Sequence, residues 1–450
     1  MVEIEEVEDV EFERIGSHSH VNGLGLDEDG KAKSSTDGLV GQETARESAG
    51  HVANLARKGK LAGRAVLFAG PPGTGKTAIA VGMANELGED IPFVQLTGSE
   101  IFSADKDKNE VLKEKLRRAL GVRIQETRNV YEGKVVDLDV QQDGGMNPFQ
   151  QQAPREASVT LETEDDKRTL RLGRKVAMHL QKESIMNGDV VRIDAESGQV
   201  QRLGKARSDW EDTADESVAE LVPVPSGYVE QERDFTHTLT LHHMDKANAQ
   251  RGGGLAGLLG TGGSGINEDV RDAVNRQVKE WIESGKAELL PGVLFIDEVH
   301  MLDIEAISFL NRAMEREFAP IMVLASNRGE TEIRGTDLEA PHGLPLDLLD
   351  RLLIINTEPY TREEIREILE IRAEEEEVSI TGEALQRLSE IGDESSLRYA
   401  VQLIAPAEDA AELDGSDEIQ EGHVETARNR FIDVERSTQK MEEYEDRMLS

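Results

Sequence analysis

A chain of 450 residues without cysteine can form no disulfide, thiolate metal site or cysteine nucleophile, and its length suggests about three domains. Its formal charge of −39 argues against tight non-specific binding of DNA over the whole surface, and no apolar run approaches the roughly 18 residues of a membrane span. The acidic start Val2-Glu-Ile-Glu-Glu-Val-Glu-Asp9 lacks the basic opening of a secretory signal, so a soluble, cytoplasmic protein is expected.

Lysine is absent between Lys286 and Lys440, whereas Asp and Glu are spread along the whole chain. Dispersed like charge repels itself at low salt, and molar salt shortens the Debye length to about 3 Å. The expectation is a halophilic cytoplasm, set against the plainer reading of an ordinary acidic protein.

Residues 1–36 read as an arm with little periodicity that carries His18-Ser-His20 and Gly23-Leu-Gly-Leu-Asp27. Two histidines so spaced either reach one ligand or lie in a polar loop. Gly38-Leu-Val-Gly-Gln42 leads into a helix over about 43–58, with Ala49, Val52, Ala53 and Ala56 on its apolar side. Ala65 to Ala69 then reads as a buried parallel strand. It breaks into Gly70-Pro71-Pro72-Gly73-Thr74-Gly75, and Lys76-Thr77 opens a helix running to Leu87. This is a G-x-x-x-x-G-K-[ST] loop in the strand–loop–helix setting the motif requires. Its glycines let backbone N–H groups curl around phosphate oxygens, and the helix N-terminus adds positive dipole. Lys76 is expected to reach the β- and γ-phosphates and the Thr77 hydroxyl to ligate Mg²⁺. A bound nucleoside triphosphate is therefore expected.

Phe93 to Leu96 reads as a second strand, followed by helical stretches at 99–102 and 108–119. The next nucleotide motif is Leu289-Leu-Pro-Gly-Val-Leu-Phe-Ile-Asp297-Glu298, an apolar strand closing on an acidic pair. Asp297 lies 221 residues beyond Lys76, so something domain-sized is inserted. Within 121–290 the alternation of 130–140 and 189–203 predicts short strands, with a hairpin turning at Glu196-Ser-Gly198. Strands spaced by turns suggest a small β-barrel such as an OB-fold. Lys167, Arg168, Arg171, Arg174, Lys175, Arg202, Lys205 and Arg207 form either a face for single-stranded nucleic acid or a solvated sheet face, and aromatics to stack bases are nearly absent there. A glycine-rich, flexible segment at 251–265 precedes a helix over 267–284.

A helix over 303–318 and the strand Ile321 to Ser326 follow, the strand tipped by Asn327. Leu344 to Arg351 then runs into the strand Leu352 to Ile355. Beyond Pro359 the pattern is helical. Thr361-Arg-Glu-Glu364 is a capping box, with helices near 361–376, 381–391, 395–405 and 422–444. The chain divides into an α/β core in two parts (1–120 and 291–360), the insertion (121–290) and a helical lid (361–450). In the acidic pair, Asp297 would hold hydrated Mg²⁺ and Glu298 would polarise the attacking water. Asn327 is either a turn former or a group that positions that water.

Gly70 to Thr77, Leu294-Phe-Ile-Asp-Glu-Val-His-Met-Leu-Asp303, Ala325-Ser-Asn-Arg-Gly329 and Leu397-Arg-Tyr-Ala-Val-Gln-Leu403 closely resemble the RuvB-like AAA+ ATPases, the pontin and reptin group. Arg14-Ile-Gly-Ser-His-Ser-His20 and Gly38 to Gln42 match as well, and the acidic composition suits an archaeal, halophilic member. The resemblance runs from about residue 14 into the C-terminal region. It implies an AAA+ P-loop core with an inserted OB-like barrel and a helical lid. It assigns Lys76 and Thr77 to Walker A, Asp297 and Glu298 to Walker B, Asn327 to sensor 1 and Arg398 to sensor 2. His18 and His20 match arm histidines near the nucleotide, and Leu39, Val40 and Gly41 the adenine pocket. Arg351 matches an arginine finger offered to a neighbouring subunit of a hexamer, although an Asp350-Arg351 surface pair is equally ordinary. The implied activities are an ATP-driven DNA helicase or translocase working with chromatin, transcription or assembly machinery, or a ring-shaped assembly scaffold with a slow ATPase. A metabolic kinase would leave the sensors and lid without a purpose.

Overall fold

The computed structural model describes residues 18, 20–61, 63–88, 90–102, 107–142, 154–207, 221–252, 266–434 and 436–441. Two compact units share the chain: 123–238 with 281–288 belong to one, and the described residues of 11–122, 239–280 and 289–450 to the other.

The larger unit is built on a parallel sheet. In chain order its elements are α1 (Glu43–Arg57), β1 (Ala65–Ala69), α2 (Lys76–Leu87), β2 (Phe93–Thr97) and α3 (Lys108–Arg118). After residues 123–238 of the smaller unit come α4 (Leu241–Gly252), α5 (Glu268–Glu283), β3 (Val293–Asp297), α6 (Ile304–Met314), β4 (Ile321–Ser326) and β5 (Leu352–Asn356). The strand order is β5-β1-β4-β3-β2, every pairing parallel. Continuous apolar runs such as Ala65–Ala69 suit strands covered on both faces. Alternate residues divide between two cores as the pleat demands. Leu67, Leu294, Ile296 and Leu324 pack with α3 and α6, whereas Val66, Phe68, Phe295 and Val323 pack with α1 and α2. Asp107 and Asp303 cap α3 and α6 by accepting from the Asn109 and Ala306 amides.

The lid comprises α7 (Arg362–Glu375), α8 (Gly382–Glu394), α9 (Leu397–Gln402), α10 (Ile404–Asp414) and α11 (Glu421–Arg430), packed on Ile365, Leu369, Leu388, Ile391 and Ile404. The capping box at Thr361 and Glu364 forms in both directions. The helix expected over 422–444 is broken: α11 stops at Arg430, and a further helical stretch begins at 434. The Phe431 carbonyl turns to accept from the Tyr399 hydroxyl (2.5 Å), and the Asp433 carboxylate restarts the helix by accepting from the Arg436 amide (2.8 Å). Tyr444 lies outside the described residues.

The smaller unit is a mainly antiparallel sheet centred on one strand, Leu120–Gln142, which pairs with Pro154–Glu162 and Asp189–Asp194. The expected hairpin forms between Asp189–Asp194 and Val200–Ala206. A helix that the alternation did not show, Arg174–Lys182, covers a core of Val135, Val159, Leu161, Leu180 and Val191. The glycine-rich segment from 253 to 265 lies outside the described residues, as does the arm before His18 and Ser19. Among the described residues no helix is long and apolar enough to cross a membrane.

Thr361→Ala removes the cap that starts the lid and should cost about 1 kcal/mol. Chemical denaturation followed by circular dichroism reads this, and an unchanged midpoint would show that the cap is immaterial.

Candidate nucleotide site

The phosphate loop joins β1 to α2. A side chain at Gly70 would overlap the Thr357 carbonyl, and Gly73 and Gly75 hold φ of 77° and 76°, the left-handed region that favours glycine. Gly75 precedes α2 with no side-chain cap, so the first amides of that helix point at whatever occupies the loop. Pro71 and Pro72 are exposed, whereas Thr74 and Lys76 are buried. The Lys76 ammonium donates to the carbonyls of Gly70 (2.9 Å) and Pro71 (2.6 Å). Burial lowers its pKa; the Asp297 carboxylate opposes that and the Arg398 guanidinium adds to it. Thr77 is half-buried on the first turn of α2.

Asp297 ends β3, and its Oδ1 accepts from the Glu298 amide (2.8 Å). Glu298 sits at φ 51°, a left-handed conformation uncommon for a non-glycine residue, at the turn beyond the strand. Asn327 follows β4 and is exposed. Arg398, on the first turn of α9, is exposed and lies close enough to Lys76 to depress its pKa. These residues converge on the C-terminal edge of the parallel sheet. Arg351 does not join them. It immediately precedes β5 at the opposite edge, five residues or about 16 Å away along the strand. Its partner is Glu315 (2.6 Å), not the adjacent Asp350.

On the other side of the loop, His18 and His20 stand with ring centroids 5.9 Å apart, each with a buried Nδ1 that has no hydrogen-bond partner. Burial, then His20 and Arg372, bring the His18 pKa down to about 4, and burial and Arg372 lower that of His20. Leu39 and Val40 are buried, and a side chain at Gly41 would collide with Glu364 of α7. Unpartnered ring nitrogens, open helix amides and crowded glycines fit a nucleotide whose base lies between this segment and the lid.

Gln42 and three residues that the sequence reading did not single out, Arg46, Thr357 and Tyr360, complete the site. Arg46, fully buried on α1, donates to the carbonyls of Leu24 (2.8 Å), Lys33 (2.7 Å), Gly41 (3.0 Å) and Gly25 (3.2 Å), which fastens the arm against the pocket. Gln42 exchanges two hydrogen bonds with the Glu358 backbone. The Thr357 hydroxyl meets that of Thr74 (2.6 Å), and the Tyr360 hydroxyl lies over Gly75. Arg46 falls on the apolar side of the predicted helix, which is the one signal that was legible. Thr357 and Tyr360 carry none, because their role depends on the chain passing the loop after β5.

A five-stranded parallel sheet carrying this loop, an acidic strand end and a helical lid define a P-loop nucleoside-triphosphatase. The TIP49 P-loop domain model matches residues 14–363 and the TIP49 AAA-lid domain model matches 368–433. The chain belongs to the TIP49 family, the RuvB-like AAA+ ATPases of the pontin and reptin group.

His18 titrates at about 4 in the folded chain against 6.5 for an unperturbed imidazole. Between those values the unfolded chain binds more protons, so the stability contributed by neutral His18 is complete above pH 6.5 and is lost as pH falls toward 4. His18→Gln should flatten the decline of thermal stability between about pH 6.5 and 5; a wild-type slope would contradict this.

Proposed function

We propose that the chain is an ATP-hydrolysing ring, a hexamer, that cleaves the terminal phosphate where two protomers meet and uses the cycle to translocate along or unwind DNA. The carrying observation is the opposed placement of two residue sets on one sheet. The phosphate loop, Asp297, Glu298 and Asn327 lie at its C-terminal edge and Arg351 at its N-terminal edge. A guanidinium so placed reaches a γ-phosphate only in another copy.

Gly70 to Thr77 cradle the triphosphate, and Lys76 exchanges its loop carbonyls for β- and γ-oxygens. His18, His20, Leu39, Val40 and Gly41, with Tyr360, enclose the base. Thr77 and Asp297 would hold Mg²⁺, which would supply neutralisation of the phosphate charge. Glu298 polarises the attacking water and Asn327 orients it. Arg398 reaches from the lid to the γ-phosphate, and Arg351 stabilises the charge that develops on the neighbour's nucleotide. Within the insertion of 121–290, the smaller unit serves as an OB-like domain, and the working compartment is a halophilic cytoplasm. Partners are DNA and proteins of the chromatin, transcription and assembly machinery.

One observation favours the scaffold reading over the motor. Lys167, Arg168 and Arg202 are taken up in ion pairs with Glu162, Glu230 and Asp189. Of the eight basic residues, Lys167, Arg168 and Arg171 lie on the strand Lys167–Leu172, Arg174 and Lys175 on the helix Arg174–Lys182, and Arg202 and Lys205 on Val200–Ala206, which three strands separate from Lys167–Leu172.

Lys76→Ala should abolish nucleotide binding by calorimetry. Glu298→Gln and Arg351→Ala should bind normally while turnover falls by about 10²-fold or more. Full turnover by Arg351→Ala would remove the shared site. A strand-displacement assay in molar KCl with Glu298→Gln as control separates motor from scaffold: unwinding that is equal in wild type and variant, or absent from both, leaves only the scaffold.

A further inference from the structure

Helices α3, α5 and α6 enclose a groove of about 300 Å³. Its floor is apolar, formed by Leu116, Phe309, Ala313 and Phe318, and its rim carries six cationic side chains against three carboxylates in a chain whose formal charge is −39. Four of those cations are committed within the fold: Lys113 to Glu268 (2.9 Å), Lys279 to Glu317 (2.8 Å), Arg117 to Asp245 and Arg271 to Glu110. The other two, Arg276 and Arg316, are exposed and form no ion pair among the described residues. Arg276 reaches only the Asp272 carbonyl of its own helix (3.3 Å). Arg316 directly follows Glu315, the partner of Arg351. The groove therefore opens beside the guanidinium assigned above to the neighbouring protomer.

The N-terminal arm has complementary chemistry. Residues 2–13, Val2-Glu-Ile-Glu-Glu-Val-Glu-Asp-Val-Glu-Phe-Glu13, intersperse seven acidic with five apolar residues and include no cation. The described chain begins at His18, inside the nucleotide pocket, and the residues before it span up to about 50 Å if extended. In a ring that brings Arg351 of one copy to the nucleotide of the next, the groove of the first copy and the arm of the second meet at the same junction.

We propose that the acidic arm of one copy docks in this groove on the adjacent copy. Its apolar residues cover Phe309 and Phe318, and its carboxylates neutralise Arg276 and Arg316. The assignment rests on the ring reading. Charged rims of this kind act mainly on partner choice and encounter rate, so the arm would select the correct neighbour and orientation more than it would add affinity.

The absence of native cysteine allows a direct test. Full-length Val7→Cys and Asp272→Cys chains are mixed in molar KCl with ATP, oxidised and resolved without reductant, while light scattering on the same sample reports ring formation. The expected result is a covalent pair between copies, reduced at least about fivefold when Arg276→Glu and Arg316→Glu are added to the groove. Rings that give no more pairing than a Glu421→Cys control on the lid would overturn the docking and leave the ring intact. Cross-linking only within diluted Val7→Cys, Asp272→Cys double-variant chains would overturn docking between copies. If no ring forms, the ring reading fails and the proposal falls with it.

Discussion

Everything at the nucleotide site depends on how tightly the phosphate loop is wedged. Gly70 passes so close to the Thr357 carbonyl that no side chain fits, and the hydroxyls of Thr74 and Thr357 touch from either side of the same gap. Lys76 closes the loop by donating to its carbonyls, and burial lowers its pKa. A buried ammonium satisfied only by neutral oxygens is poorly solvated, and a phosphate offers it a stronger, charge-assisted partner. A phosphate therefore suits Lys76 better than the carbonyls of its own loop.

The same wedge joins the phosphates to the lid. Thr357 and Tyr360 belong to the short connection from β5 to α7, and Tyr360 reaches over Gly75 while the Thr361 cap starts the lid helix. The phosphate loop and the start of the lid are therefore in direct contact. Gln42 and Arg46 extend the linkage to the arm, since Gln42 is bonded to Glu358 beside the start of the lid and Arg46 holds four carbonyls of the arm and of the segment leading to α1. Lid, loop and arm consequently share one set of contacts.

The parallel core was readable because its signals are local. An apolar strand ending in glycines before Lys76, or in Asp297-Glu298, fixes both the element and its polarity, and Thr361-Arg-Glu-Glu364 marks its own helix start. The smaller unit was less readable. Leu120–Gln142 runs as a single strand of 23 residues, far beyond the 130–140 stretch where alternation shows. Arg174–Lys182 buries only Ala177 and Leu180 fully, too few for a period to stand out. The basic residues looked like one face in sequence because they are clustered in number, but strand pairing separates them. Arg46, Thr357 and Tyr360 were illegible for another reason. Each acts through backbone brought close by the fold, and no residue-type pattern records that.

Charge explains how the halves of the core stay in register around a long insertion. Asp245 of α4 is fully buried against Arg117 of α3, and Arg271 of α5 is almost fully buried against Glu110 of the same helix. These pairs fasten the segments on either side of the glycine-rich stretch to the helix that precedes the insertion. Burial pushes the Asp245 pKa up and Arg117 opposes it, so the pair is retained at a cost in desolvation. Apolar replacements could supply equal stability but would tolerate sliding of α4 and α5 along α3, whereas a two-pronged guanidinium–carboxylate contact has one register. Buried pairs are also screened far less than surface ones. The contacts that set the geometry of the core are thus those that salt reaches least.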